Sequence, residues 1–164
     1  MVPKSDIEVS DFKVVNEPIL GYLPGSKERV ALEASLARYS GECEDIPIII
    51  GGKEYRTDNV QYQVMPHDHS KKIAKFYWAT PELVQKGIDT ALAAKADWEK
   101  VPIDEKIKMF LKVSDQMADI YRADLNATTM LGQAKTIVQV GLIVTIWIIL
   151  NWFSIRRKLT LPVS

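Results

Sequence analysis

Cysteine is nearly absent from this sequence, since Cys43 is the single one among 164 residues. A lone cysteine excludes an internal disulfide, which fits a reducing compartment. Net charge is absent as well, because 21 basic residues balance 21 acidic ones. This balance gives no support for a nucleic-acid partner.

Targeting and nucleotide-binding motifs are also lacking. Residues 1–8, Met-Val-Pro-Lys-Ser-Asp-Ile-Glu, have no apolar core for a signal peptide, and their acids argue against a transit peptide. No G-x-G-x-x-G pattern occurs, so the sequence offers no dinucleotide fingerprint. The pair Gly51-Gly52 predicts a turn and not a phosphate cradle.

Charge is unevenly distributed along the chain. Beyond Thr136 the charged residues are Arg156, Arg157 and Lys158, which leaves 18 basic residues (21 less 3) against 21 acidic ones, a net of minus three, in the first part. Residues 137–153 carry no charge, and about 17 residues is the lower limit for a membrane-spanning helix. One interpretation is a membrane anchor, with the basic residues on the cytoplasmic or matrix side. The other, favoured by the marginal length, is translation into unrelated sequence, as from a retained intron.

The first half of the chain predicts an irregular arm over 1–25, a short helix and two strand pairs. Ser26 is a candidate N-cap of that helix, and Gly41 is a candidate end. Gly51-Gly52 then joins two strands in a hairpin, and a break at Pro66 separates two more. The four strands are expected near residues 46–50, 53–57, 60–65 and 73–78.

The second half predicts longer helices. Thr80 is a good N-cap, Pro81 suits the first turn, and Glu82 complements the positive end of the helix dipole. The predicted apolar stripe of this helix, interpreted as core packing, comprises Leu83, Val84, Gly87, Ile88, Ala91, Leu92, Lys95 and Trp98.

A further helix is expected to begin near Pro102. Its predicted buried side comprises Ile103, Ile107, Phe110, Leu111, Ser114, Met117 and Tyr121. Its predicted exposed face carries Asp104, Lys108, Asp115 and Asp119.

Three local features could carry chemistry, and each has a simpler interpretation. Cys43 lies between two glutamates, whose charges disfavour a thiolate, so we interpret it as a turn cysteine. The run His67-Asp68-His69 could bind a metal, but no second cluster completes a ligand shell, so a polar loop is the expected role. The pair Lys71-Lys72 is interpreted as a solvated turn.

Several runs resemble one known family. These runs are Asn-Glu-Pro-Ile-Leu at 16–20, Gly-Ser-Lys-Glu-Arg at 25–29, Asp-Asn-Val-Gln-Tyr-Gln-Val at 58–64, and Ala-Leu-Ala-Ala at 91–94 leading to Trp98. Together they resemble the opening of the delta-1-pyrroline-5-carboxylate dehydrogenase family within the aldehyde dehydrogenase superfamily. Residues 130–136 are similar to the family's Gly-Gln-Gly-Lys-Thr stretch, with Ala134 where glycine is expected. The resemblance covers roughly Phe12 to Gln139 and does not extend past Val140.

The resemblance implies an α/β superfamily fragment, the N-terminal part of an NAD domain. It has one short helix, two hairpin-like strand pairs and two or three longer helices, followed by an apolar C-terminal helix. The expected divisions are an arm over 1–25, an incomplete aldehyde dehydrogenase region over 26–139, and a non-family apolar and basic tail over 140–164.

The chemistry implied by the resemblance is oxidation of L-glutamate γ-semialdehyde to glutamate with NAD in the mitochondrial matrix. It requires a thiolate nucleophile, a glutamate base and an oxyanion donor, which in the family lie downstream of this chain, as does the NAD site. No catalytic, cofactor-binding or metal residue is therefore assigned here, and neither NAD nor a metal is expected to bind this chain.

Three hypotheses about function follow. The chain is a truncated, inactive dehydrogenase, an interaction module for full-length subunits, or a small protein anchored in a membrane through 137–153. In the family that the sequence resembles, the apolar stripes pack against a sheet that this chain does not encode. They are then expected to stay partly exposed, which predicts a marginally stable or aggregation-prone product.

Overall fold

The fold was analysed in a computed structural model, which describes residues 18–140. It is an α/β arrangement, as expected, in which one helix precedes five strands and three further helices follow them. The elements are α1 (Lys27–Gly41), β1 (Glu44–Ile46), β2 (Ile48–Ile50), β3 (Lys53–Tyr55), β4 (Val60–Met65), β5 (Asp68–Tyr77), α2 (Pro81–Lys100), α3 (Ile103–Ala118) and α4 (Arg122–Gln133).

The strands form two sheets. One has the order β1-β5-β4, with β4 antiparallel and β1 parallel to β5, and the other is the antiparallel hairpin of β2 and β3. Both predicted strand pairs are confirmed. The single strand expected over 46–50 is wrong, because Pro47 lies between β1 and β2, which belong to different sheets. Proline has no amide proton for a ladder, so it suits the point where the chain changes sheets.

The hairpin turn confirms the prediction made from Gly51-Gly52. Both glycines have positive φ, 58° and 75°, as a two-residue turn of type I′ requires. Helix α2 packs against this hairpin, since a Cβ added at Gly51 would lie 3.2 Å from Thr90 Cγ2. The turn therefore sets how closely α2 approaches β2 and β3.

The predicted helix caps are present. The amide of Arg29 donates to Ser26 Oγ at 3.4 Å, and α1 ends at Gly41. The amide of Leu83 donates to Thr80 Oγ1 at 3.3 Å, and Pro81 opens α2. Each side chain satisfies one of the donors that a helix start leaves without an internal partner.

The core lies mainly between α1, α4 and the larger sheet. Helix α4 packs along α1 and also contacts β4, so α1 meets α4 although two helices and five strands lie between them in the sequence. The buried apolar side chains among residues 18–140 are Leu32, Met65, Ile107, Ala127, Leu131 and Val140.

Helices α2 and α3 bury fewer apolar side chains than their apolar stripes predict. No residue of α2 is buried, and Leu92 is 61% exposed. In α3 the prediction holds for Ile107, but Ile103 and Phe110 are exposed, as is Tyr121 after the helix. Asp115, expected on the exposed face, is half-buried. The physical reason is that the hairpin contacts only part of α2 and that α4 contacts only part of α3, so the rest of each face has no cover within residues 18–140. This is in line with the expectation that the stripes stay partly exposed.

The predicted apolar C-terminal helix falls mostly outside the described residues, which end at 140. Among residues 18–140, no helix is long and apolar enough to cross a membrane. The boundaries expected at residues 25 and 139 remain predictions.

Candidate functional site

Cys43 lies in the short link between α1 and β1, and it is exposed. Its position agrees with the interpretation as a turn cysteine. In the described part of the chain, no group of three or more His, Cys, Asp and Glu side chains is arranged to hold a metal ion.

The residues His67, Asp68 and His69 do not form one loop. Strand β5 begins at Asp68, so His67 lies in the turn and His69 lies in the strand. Asp68 accepts hydrogen bonds from Ser70 Oγ at 2.6 Å and Ser70 N at 3.3 Å, and these bonds lower the pKa of the Asp68 carboxyl. Asp68 therefore orders the start of β5. The solvated turn predicted for Lys71-Lys72 is wrong, because both residues are in β5.

Asp45 is the centre of an ion-pair network. Its Oδ1 accepts from the Tyr77 hydroxyl at 2.7 Å and lies 3.0 Å from Lys75 Nζ, while its Oδ2 accepts from Arg56 Nε at 2.7 Å. Arg56 Nη1 also lies 2.9 Å from Glu54 Oε2. The bonds from Tyr77, Arg56 and Lys75 hold the pKa of Asp45 well below its usual range, and Asp45 raises the pKa of the Arg56 guanidinium.

This network joins the two sheets. Asp45 belongs to β1 and Lys75 to β5 in one sheet, whereas Arg56 follows β3 in the other. Sequence analysis missed the network, because its partners are up to 32 residues apart and no local pattern marks them. The network fixes the position of the hairpin relative to the larger sheet.

A second polar cluster, which we call the arm joint, consists of Pro18, Tyr22, Arg122 and Asn126. Arg122 Nη2 donates to the Pro18 carbonyl at 3.3 Å, and Asn126 Nδ2 donates to the Tyr22 hydroxyl at 2.9 Å. Arg122 is 8% exposed and Asn126 is fully buried. Helix α4 thereby holds the residues that precede α1.

The arm joint was also missed from the sequence, although a weak signal exists. Arg122 and Asn126 are four residues apart in α4, so they share one helix face, next to the buried Ala127 and Leu131. Polar side chains beside apolar ones at helical spacing indicate a buried polar contact, but the partners lie 104 residues away. Tyr22 adopts a positive φ of 49°, which is uncommon for a residue with a side chain.

The end of α4 agrees with the expectation of a glycine at position 134. Ala134 caps the helix in the left-handed conformation, with φ 51° and ψ 35°. Beyond it, the Gln139 side chain accepts from the Thr136 amide at 2.8 Å and from its hydroxyl at 3.2 Å. The left-handed cap is the position where helices favour glycine, so Ala134 is strained there.

Comparisons of the sequence and of the structure with known proteins identify the same family. Residues 55–149 match the model of the aldehyde dehydrogenase family. Delta-1-pyrroline-5-carboxylate dehydrogenase of human mitochondria is 44% identical over 130 residues, which cover 79% of this chain and 23% of the relative. The corresponding enzyme of Agaricus bisporus is 46% identical over 123 residues, or 74% of this chain and 22% of the relative.

Solved structures agree. The delta-pyrroline-5-carboxylate dehydrogenase of Mycobacterium tuberculosis bound with NAD superposes with a TM-score of 0.85 at 32% identity, over 93% of this chain and 30% of that one. The same enzyme bound with NAD and cobalamin gives a TM-score of 0.82 at 30% identity, with the same coverage. This chain spans less than a quarter of the length of the curated relatives. It belongs to the aldehyde dehydrogenase family, and the relatives that it matches are delta-1-pyrroline-5-carboxylate dehydrogenases.

Proposed function

We propose that this chain is the N-terminal region of an NAD-dependent dehydrogenase that oxidises L-glutamate γ-semialdehyde, formed from pyrroline-5-carboxylate, to glutamate. The observation that carries the proposal is the 44% identity to the human enzyme over 130 residues. The superposition on an NAD-bound enzyme of the same name supports it independently. Proline catabolism in the mitochondrial matrix is the corresponding proposed place of action.

The proposed role of residues 18–140 within this enzyme is to support the site and not to supply catalytic groups. Aldehyde oxidation through a thioester needs a thiolate close to a general base. Cys43 is exposed in the link between α1 and β1, and the charges of Glu42 and Glu44 on either side of it disfavour the thiolate. We therefore propose that the 164-residue chain alone is catalytically inactive and binds no NAD.

A chimaeric enzyme tests the proposed function. In the human enzyme, the aligned segment is replaced by residues 12–139 of this chain, and NAD reduction is measured with pyrroline-5-carboxylate. We expect activity within about tenfold of the parent, because a supporting region changes the barrier little compared with loss of a catalytic group. A folded chimaera that binds NAD without oxidising the semialdehyde would contradict the proposal.

The control is the 164-residue chain alone in the same assay. We expect no NAD reduction above the rate without protein. Measurable reduction by the purified chain would overturn the proposal of inactivity, and it would leave the family assignment intact.

We also propose that full-length dehydrogenase subunits are partners of this chain. The exposed apolar side chains of α2, including Val84, Ile88 and Leu92, favour this idea because uncovered apolar faces mark interaction surfaces. Tagged chain should co-purify with the full-length enzyme when the two are co-expressed. The double variant Ile88→Lys, Leu92→Lys should not, and equal recovery of both forms would exclude this surface.

A further inference from the structure

Strands β2 and β3 and helix α2 pack on one another and form one body, which we call the hairpin unit (residues 48–56 and 81–100). The Lys86 ammonium lies 4.7 Å from the centre of the Tyr55 ring, so α2 contacts β3. A Cβ added at Gly87 would lie 3.9 Å from Ile50 Cδ1, so α2 also contacts β2. Together with the close approach of the hairpin turn to α2, these contacts hold the three elements together.

The hairpin unit contributes no buried side chain. No residue of β2, β3 or α2 is buried. The buried apolar side chains among residues 18–140 belong instead to α1, β4, α3, α4 and the segment after α4. These elements, with β1 and β5, form a second body that we call the core unit. Burial of apolar surface, the dominant favourable term in folding, therefore stabilises the core unit without extending to the hairpin unit.

The contacts between the two units are polar and exposed. Within residues 18–140, the side-chain hydrogen bond that joins them runs from Arg56 Nε to Asp45 Oδ2 at 2.7 Å. The Lys106 ammonium of α3 also lies 5.1 Å from the centre of the Trp98 ring of α2. The side chains of Arg56 and Asp45 are 46% and 37% exposed, so water can replace their contact at low cost in free energy.

Two links between the units lie side by side and form a hinge. Residues 57–59 join β3 to β4, and residues 78–80 join β5 to α2. Thr57 Oγ1 donates to the Trp78 carbonyl at 2.9 Å, and the Trp78 amide donates to the Asn59 carbonyl at 3.0 Å. The other links are short as well, at residues 47 and 101–102. Short links of this kind permit a rotation and prevent separation of the units.

We propose that the hairpin unit rotates as one body about this hinge and that the bond between Arg56 and Asp45 is the latch of the closed arrangement. Glu54 holds Arg56 in the hairpin unit, at 2.9 Å. Tyr77 and Lys75 hold Asp45 in the core unit, at 2.7 and 3.0 Å. Each half of the latch is thus fixed to its own unit, so opening it disrupts neither body. The proposal concerns the fold and does not depend on the proposed enzymatic function.

Distances between spin labels test this movement in the 164-residue chain. With Cys43→Ser as the background, Ala31→Cys in α1 and Ala93→Cys in α2 place one label on each unit, at exposed positions. Lys53→Cys with Ala93→Cys places both labels on the hairpin unit. Labelled chain is diluted with unlabelled chain, so that double electron–electron resonance reads distances within one molecule. We expect a major and a minor distance between the units and one distance within the hairpin unit.

Arg56→Gln removes the charge of the latch. The population of the minor distance between the units should rise about twofold to fivefold, and the distance within the hairpin unit should stay the same. Arg29→Gln is the matched control, because Arg29 is 44% exposed and pairs with Glu33 at 2.8 Å inside α1. It should change neither distribution. If folded Arg56→Gln keeps the wild-type distance between the units, the proposal is overturned. An equal change within the hairpin unit would also overturn it, because that result indicates unfolding of the hairpin.

Salt gives a second measurement that needs no change to the latch. At about 1 M salt the Debye length is about 3 Å, so an exposed ion pair is screened. Raising the salt from about 0.05 M to about 1 M should shift the wild-type distances between the units in the same direction as Arg56→Gln. A distribution between the units that does not respond to salt would overturn the latch, even where Arg56→Gln fails to fold.

Discussion

Asp45 shows how much one exposed carboxylate can organise. It accepts from the hydroxyl of Tyr77 and lies within ion-pair distance of Lys75 in its own sheet, and it accepts from Arg56 beside the other sheet. Exposed ion pairs contribute little singly, but a network that converges on one group restricts several side chains at once. The sequence shows these charges without showing that they meet.

We predict that Asp45→Asn lowers thermal stability and that the loss depends on pH. Because the folded-state pKa of Asp45 is lowered, its contribution is fully present above the unfolded pKa, about 3.9, and is lost as the pH falls through the folded pKa. The Tm difference between wild type and variant should therefore be largest near neutral pH and should shrink below about pH 4. Thermal melts followed by circular dichroism measure it.

The control for this variant is Asp97→Asn. Asp97 makes a single ion pair with Lys100 at 3.1 Å on an exposed helix face, so its Tm change should be small at every pH. A pH-independent difference for Asp45→Asn would show that the carboxylate charge is not what stabilises this site.

At Ala134 we predict a substitution that raises stability. A side chain in the left-handed region is disfavoured by roughly 1 kcal/mol relative to glycine, so Ala134→Gly should stabilise the chain by about 0.5–1 kcal/mol in urea unfolding. Ala93→Gly in the exposed middle of α2 is the control, and it should destabilise by about 1 kcal/mol. If both variants destabilise, the left-handed cap is absent in solution.

At the scale of elements, local chemistry carried most of the successful predictions. Ser26, Thr80 and the glycine pair act through neighbours three or fewer residues away, and short-range geometry of this kind can be read from sequence. The parallel pairing of β1 with β5 was missed, because it joins Glu44 to Ala74 across an intervening hairpin. Pro47 could have indicated the break between β1 and β2, but an apolar run of isoleucines concealed it.

Substitutions in the hairpin turn separate the cost of backbone strain from the cost of a side-chain clash. Gly51 and Gly52 both have positive φ, but a Cβ at Gly51 would meet Thr90 at 3.2 Å, and one at Gly52 would have no atom within 4 Å. Gly52→Ala should therefore cost about 1 kcal/mol from backbone strain, and Gly51→Ala should cost more. Urea unfolding of the two variants gives the comparison.

Thr90→Ser provides the check on that interpretation, because it removes the methyl group that the new Cβ would meet. Combined with Gly51→Ala, it should bring the loss back to the level of Gly52→Ala. Equal losses for the two single variants would mean that α2 does not approach the turn this closely.

At the scale of the whole molecule, the main feature is the uncovered apolar surface of α2 and α3. Sequence periodicity identified these faces correctly as apolar, but it could not say which element covers them, because that depends on long-range packing. The same limit applies to the arm joint, where both bonds join residues 104 positions apart. The apolar faces of helices can therefore be predicted from the local sequence pattern, whereas the elements that pack against them cannot.

We predict that the isolated chain self-associates through this surface. Ile88→Lys with Leu92→Lys should reduce association in light scattering and change the free energy of unfolding by no more than about 0.5 kcal/mol per site, because neither residue is buried. Leu32→Lys, at a buried site, should prevent folding instead. A wild-type chain that is monomeric at the same concentration would contradict the prediction.

The pairing of α1 with α4 has a consequence during synthesis on the ribosome. The Ser35 hydroxyl of α1 donates a hydrogen bond to Asp124 of α4, which lies 89 residues later. Helix α1 therefore emerges from the ribosome long before its partner helix has been made. At about 5–20 residues per second, the interval is roughly 4 to 18 s, during which Leu32 lacks its final neighbours. Newly made α1 is therefore a candidate client for chaperones, and slower translation of the intervening segment should lengthen this exposure.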